Sequence, residues 1–317
     1  EGLLVNIIAK KMYPEIEGKA EPLDSLTKKE ITKNVSALSM HKIGGLVVFS
    51  TDNILISSLF GVAVLGVYSN YNLIITSLSS IFGVLINALT ASIGNLICSQ
   101  STEYNYNRYK QINIIFFYLC SFCTVCLICL FQPFMLFWTK KESLMLDWST
   151  VILIIISFYC TRMREGVGAY KNAAGLYWQD RWKPVAEAII NFIISIVLGL
   201  LIGINGIFIG TILSTLLAPF WVEPKVLYKY YFNRNPKFYF IKYALNTIIM
   251  VVVAFICYLI CGLIPDGGFG YLVLKFAICI VLSNLLLFPL YLSFKEFREI
   301  IMIVKRLLLK IFKKNQG

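Results

Sequence analysis

Charge is what this 317-residue sequence has least of: charged side chains make up 15% of it, against about 25% in an ordinary soluble domain. Histidine is almost absent, with His41 alone. One imidazole has too few parts for a His-built metal cage or a Ser-His-Asp triad. There is no G-x-x-x-x-G-K-[ST] string, so the chain does not hydrolyse ATP through a P-loop. No cleavable signal-peptide pattern opens it.

Apolar residues are what the sequence has instead. They form 58% of the chain, and mean hydropathy is +0.74. Eight apolar stretches of roughly 17 to 30 residues run along it, where about 20 suffice to cross a bilayer: Ile43–Phe60, Tyr68–Ile97, Ile112–Trp138, Val151–Tyr170, Val185–Ile202, Gly206–Val222, Phe238–Ile264 and Tyr271–Phe294. They are continuous rather than alternating, so the predicted architecture is an all-α, polytopic transmembrane bundle. The chain starts at Glu1, and "GLLVNIIA" before Lys10 is too short to cross; it is expected to be the tail of an earlier helix.

Apart from Lys140, Lys141, Arg162, Arg164 and Lys275, every one of the 29 Lys and Arg falls in segments 1–42, 98–111, 171–183, 223–242 or 295–317. That bias predicts that these segments, and both ends, are cytoplasmic. The net charge of +12 then reflects topology and anionic inner-leaflet lipid, and no nucleic-acid partner is needed. The opposite loops, Gly61–Val67, Thr139–Ser149, Gly203–Asn205 and Pro265–Gly270, are short and hold no elaborate active site. The tail "KEFREIIMIVKRLLLKIFKKNQG" alternates basic and apolar groups, which suits a helix on the inner membrane surface.

Cys120, Cys123, Cys126 and Cys129 form a C-x2-C-x2-C-x2-C run that superficially matches an iron–sulfur ligand set. Within one helix, at about 1.5 Å per residue, such a run spans roughly 13.5 Å and half the circumference. The four cannot converge on one ion, so they are expected to be small apolar side chains, and the sequence offers no metal site. His41, beside Lys42, is expected to be an interfacial polar residue.

The polar residues inside the spans carry the functional signal, because a charge at the bilayer centre costs about 2.5 to 3.5 kcal/mol. Arg162 and Glu165 stand at i, i+3, close enough to pair. Arg164 projects from nearly the opposite side, and its face continues through Gly168, Lys171 and Gly175 on an uninterrupted helix. Two cations with two residues lacking side chains would let a bulky phosphate approach closely; snorkelling to headgroups is the competing role.

A second stripe, Asn72, Thr76, Ser79, Gly83, Asn87, Thr90 and Gly94, occupies one helix face. It serves either close helix packing or a water-filled path. Asp52, between Thr51 and Asn53, could couple Na+ or H+, pair with an arginine, or bond a neighbouring helix. Glu187 follows Pro184, where a carboxylate suits a helix start.

The strings "GLVVFSTDNILISSLFG", "LGVYSNYNLI", "ASIGNLI" and "REGVGAYKNAAGLYWQDRWKPVAEAIINFIIS" together resemble bacterial polysaccharide-export flippases of the Wzx type, in the multidrug, oligosaccharidyl-lipid and polysaccharide exporter superfamily. The resemblance runs from about Lys28 to the end and corresponds to that family's C-terminal portion. It implies a linker at 1–42, a second six-helix lobe at 43–222, two extra helices at 223–294 and a basic tail at 295–317. It further implies a plasma-membrane protein that moves an undecaprenyl-pyrophosphate-linked oligosaccharide from the inner to the outer leaflet by alternating access. Partners would be membrane lipids and, as a candidate, a polysaccharide polymerase. No catalytic residue and no organic cofactor is implied. Arg164, then Arg162, is the position that matches a pyrophosphate-binding role, with Lys171, Gly168, Asn87 and Asn72 beside it and Asp52 as the ion-coupling candidate. A membrane polymerase or glycosyltransferase and a multidrug exporter are the competing functions.

Overall fold

The computed structural model of the chain describes residues 2–13, 24–266 and 268–314. Its helices are α1 (Gly2–Met12), α2 (Ser25–Phe60), α3 (Val62–Ser99), α4 (Thr102–Thr139), α5 (Trp148–Arg162), α6 (Glu165–Ala173), α7 (Lys183–Ile202), α8 (Ile204–Leu217), α9 (Pro219–Leu227), α10 (Lys237–Gly262), α11 (Phe269–Tyr291) and α12 (Lys295–Lys314). Among the described residues there is no strand, and eight helical stretches are long and apolar enough to cross a membrane. Helices satisfy their own backbone in hydrocarbon. The described residues therefore form an all-α bundle with eight candidate spans.

Boundaries differ from the sequence expectation where caps act. Asp24 accepts hydrogen bonds from the backbone N–H of Leu26 and Thr27, each at 3.2 Å, and so starts α2 well before Ile43. Most of the expected linker is thus helix, while its residues 14–23 lie outside the described residues. Gly61 alone separates α2 from α3, and Gly203 alone separates α7 from α8. Both have positive φ, 87° and 72°, a conformation open to glycine at little steric cost.

Two expected spans are broken. The stretch read as Val151–Tyr170 divides into α5 and α6 at Met163–Arg164, and the stretch read as Gly206–Val222 divides into α8 and α9 at Ala218–Pro219. Pro219 lacks the N–H that would continue α8. No proline stands at Met163–Arg164.

Helix α4 is the most enclosed of the eight. Phe116, Phe117, Cys120, Val125, Phe131 and Met135 on it are buried, and α10 and α11 pack against it. The expected surface tail, α12, docks on the bundle at its first turns. Phe297 is buried beside Tyr118 and Tyr291, with ring centroids 5.4 and 5.6 Å away. Gln111 Nε2 donates to Glu299 at 2.7 Å.

The closest helix pair is α7 with α8. A Cβ on Gly206 would lie 2.1 Å from the Leu198 carbonyl, and one on Gly210 would lie 2.2 Å from Ser195 Oγ. Small residues let two backbones meet, and dispersion contacts then hold them. Gly210→Leu should accordingly destabilise the protein by about 1 to 3 kcal/mol, read as a lower Tm in detergent. Gly83→Ala, which meets nothing within 4 Å, should stay within about 0.5 kcal/mol.

Candidate functional site

A cavity of about 550 Å³ opens among α2, α3, α5, α7 and α8. Asp52, Asn72, Arg162 and Arg164 line it, together with Glu187 and Thr211. Four of the expected site residues therefore share one space. Gly168, Lys171 and Asn87 lie outside it.

The cations of this space are paired. Arg162 NH1 donates to Glu165 Oε1 at 2.5 Å, the i, i+3 pair read from the sequence. Arg164 NH1 donates to Glu223 Oε2 at 2.6 Å, and Lys183 Nζ donates to Glu223 Oε1 at 2.7 Å. All three side chains of that triad are about a tenth exposed. The buried Nε atoms of Arg162 and Arg164 have no partner. Arg162, Arg164 and Lys183 are thus offset by Glu165 and Glu223, with Asp52 and Glu187 also on the wall, so the space is no basic well.

The helix breaks place these groups. Arg164 stands at the N-cap position of α6, with φ −93° and ψ −6°, just past the end of α5. Glu223 sits in α9, one turn after the Pro219 break, and Lys183 opens α7.

Asp52 forms a second polar centre. Thr211 Oγ1 lies 2.9 Å and 3.1 Å from its two carboxylate oxygens, and Asn191 Nδ2 donates to Thr211 Oγ1 at 3.0 Å. Of the three roles open to Asp52, the structure realises the bond to a neighbouring helix.

Three expectations are corrected. The face drawn through Arg164, Gly168, Lys171 and Gly175 requires one unbroken helix, but α6 ends at Ala173 and Gly175 turns away with φ 68°. Lys171 neither snorkels nor reaches the cavity. It is buried, and its Nζ donates to Asp180 Oδ2 at 2.5 Å. The same carboxylate holds His41, whose Nε2 lies 2.8 Å from Asp180 Oδ1. The α3 stripe divides: Asn72, Thr76 and Ser79 line the cavity, whereas Asn87 is exposed. Close packing does not explain its glycines, because a Cβ on Gly83 or Gly94 would meet nothing within 4 Å.

Glu223 was missed. The sequence reading ends its span at Val222 and leaves Glu223 in a loop. An acid flanked by Pro219 and Pro224 within an aromatic stretch was the available signal. Glu187, read as a helix-start residue, is on the cavity wall.

No family model, curated protein or solved structure matches the chain. The geometry stands on its own.

Asp180 lies in the connection between α6 and α7. Burial alone would push its carboxyl up, but the hydrogen bond with His41 and the charge of Lys171 outweigh it and hold the carboxyl below its usual value. A depressed carboxyl stabilises the fold above its unfolded pKa and loses that contribution as pH falls through the folded one. Asp180→Asn should cost about 3 to 5 kcal/mol near neutrality, since it strands the buried Lys171. The gap in Tm between wild type and variant should persist from pH 8 to 5 and narrow only below about pH 4.

Proposed function

We propose that this chain forms part of a bacterial plasma-membrane transporter that carries an undecaprenyl-pyrophosphate-linked oligosaccharide from the inner to the outer leaflet. The observation that carries the reading is the shared carboxylate at the cavity. Glu223 has two cationic partners, so Arg164 can leave it without stranding it. A pyrophosphate entering the cavity would recruit the Arg164 guanidinium bidentately, and Lys183 would keep Glu223 neutralised. Bound substrate and empty protein would then each avoid an unpaired buried charge.

The cycle follows from that exchange. With the cavity open to the cytoplasmic side, the headgroup diphosphate takes Arg164, while Asn72, Thr76 and Ser79 offer hydrogen bonds to the neighbouring sugar. Rocking of the helices about this site would expose it to the other leaflet. An inside-negative potential favours outward movement of negative charge by about 2.3 kcal/mol per charge per 100 mV. Release would let Arg164 return to Glu223.

A second reading has its own observation. Asp52 and Glu187 share the cavity with Tyr68, Phe158 and Phe208, and acidic groups beside aromatic faces suit organic cations. On that reading the chain exports cationic drugs.

Arg164→Ala should cut polysaccharide export about 10- to 100-fold, the equivalent of one lost charge-assisted hydrogen bond of roughly 1.5 to 3 kcal/mol, at an unchanged membrane level. Arg164→Lys should keep partial export. The assay is surface polysaccharide in cells whose export depends on this gene. Wild-type export by the alanine variant would sink the proposal, and drug sensitivity produced by Asp52→Asn would favour the second reading.

A further inference from the structure

Cysteines from three helices meet between α4, α10 and α11. The Sγ atoms of Cys129, Cys261 and Cys279 all lie within 4.8 Å of one another, and all three residues are buried. Cys126, one turn before Cys129, brings its Sγ to 3.9 Å from that of Cys279. All nine cysteines of the chain are free thiols. The C-x2-C run does not converge on itself, as its helical spacing requires. Two of its members instead meet cysteines that lie far away in sequence.

The geometry points to a binding site for a single soft metal ion, Cu(I), clamped by Cys129, Cys261 and Cys279. An ion held by three thiolates at about 2.3 Å keeps its sulfurs about 4 Å apart. The observed separations therefore need to close by less than about an ångström, within reach of small side-chain rotations. A disulfide would require a contraction to about 2.05 Å. An iron–sulfur cluster spreads its cysteine sulfurs wider than a single ion does.

The donor set selects the ion. No imidazole is at hand, because His41 is engaged with Asp180. The nearest carboxylate on these helices' connection, Asp266, accepts from Lys275 at 2.5 Å. Sulfur-only surroundings favour Cu(I) or zinc. Structural zinc takes four ligands in a tetrahedron, whereas the mutually close set here has three, and Cys126, though 3.9 Å from Cys279, is not among them. Cu(I) is satisfied by two or three.

Charge sets how many thiols ionise. Binding forms three copper–sulfur bonds: two of the thiols release their protons to water, the third coordinates as the neutral thiol, and no electron is transferred. In hydrocarbon surroundings the state of lowest net charge is preferred. Two thiolates and one thiol around Cu(I) leave a single negative charge. Lys275, buried one turn before Cys279 on α11, offsets part of it while remaining paired with Asp266. Such an ion would cross-link α10 and α11 to α4, independently of what the cavity transports.

The test is anaerobic titration of the purified protein with Cu(I) against bicinchoninate, with Zn(II) in a parallel arm. One equivalent of Cu(I) should bind with a sulfur-only X-ray absorption signature and should raise Tm. Cys279→Ser should weaken binding at least tenfold, and Cys98→Ser, an exposed position, should not change it. Should Cys279→Ser fail to fold, Cys261→Ala serves in its place. Folded wild-type protein that takes up no Cu(I), that prefers Zn(II), or that keeps its affinity when Cys279 or Cys261 is removed would overturn the assignment.

Discussion

Glu223 accepts Arg164 on one carboxylate oxygen and Lys183 on the other, and this shared acid joins three chain segments that otherwise end in mid-bundle. Arg164 follows α5, Glu223 follows the Pro219 break, and Lys183 begins α7. A lone ion in such surroundings would cost several kcal/mol. The charges therefore dictate where the helix ends must come together, and the cavity among α2, α3, α5, α7 and α8 takes its electrostatic character from their pairing.

That character is balanced rather than basic. Arg162 and Arg164 each face the cavity with a carboxylate already attached. An arriving anion therefore competes with glutamate and does not fall into an open positive well. The triad makes that competition winnable, because Lys183 remains on Glu223 after Arg164 departs. Tyr68 and Phe208, with ring centroids 5.3 Å apart, give the same space an apolar wall suited to a sugar face as well as to an organic cation.

Much of the fold was legible as hydropathy. Eight apolar stretches mark the spans because crossing length and backbone self-satisfaction leave few alternatives. The i, i+3 spacing of Arg162 and Glu165 revealed their pair, since that contact is local. The break at Met163–Arg164 was not legible, for no proline or capping residue announces it. The partners of Arg164, Lys171 and His41 lie 59, 9 and 139 residues away, and two of those distances exceed anything a single helix period encodes. Cys126 and Cys129 were visible as neighbours on one face, but Cys261 and Cys279 join them only through the packing of α10 and α11. The Gly206–Gly210 spacing was readable as a close-packing motif and went unread.

The seam between α7 and α8 has a mechanical consequence. Gly206 and Gly210 set backbone against backbone there, so no layer of side chains remains to shear, and the two helices must travel as one stiff plank. Both ends of that plank are tied into the bundle, one through Asp180 to Lys171 and His41 and the other through Glu223 to Arg164 and Lys183.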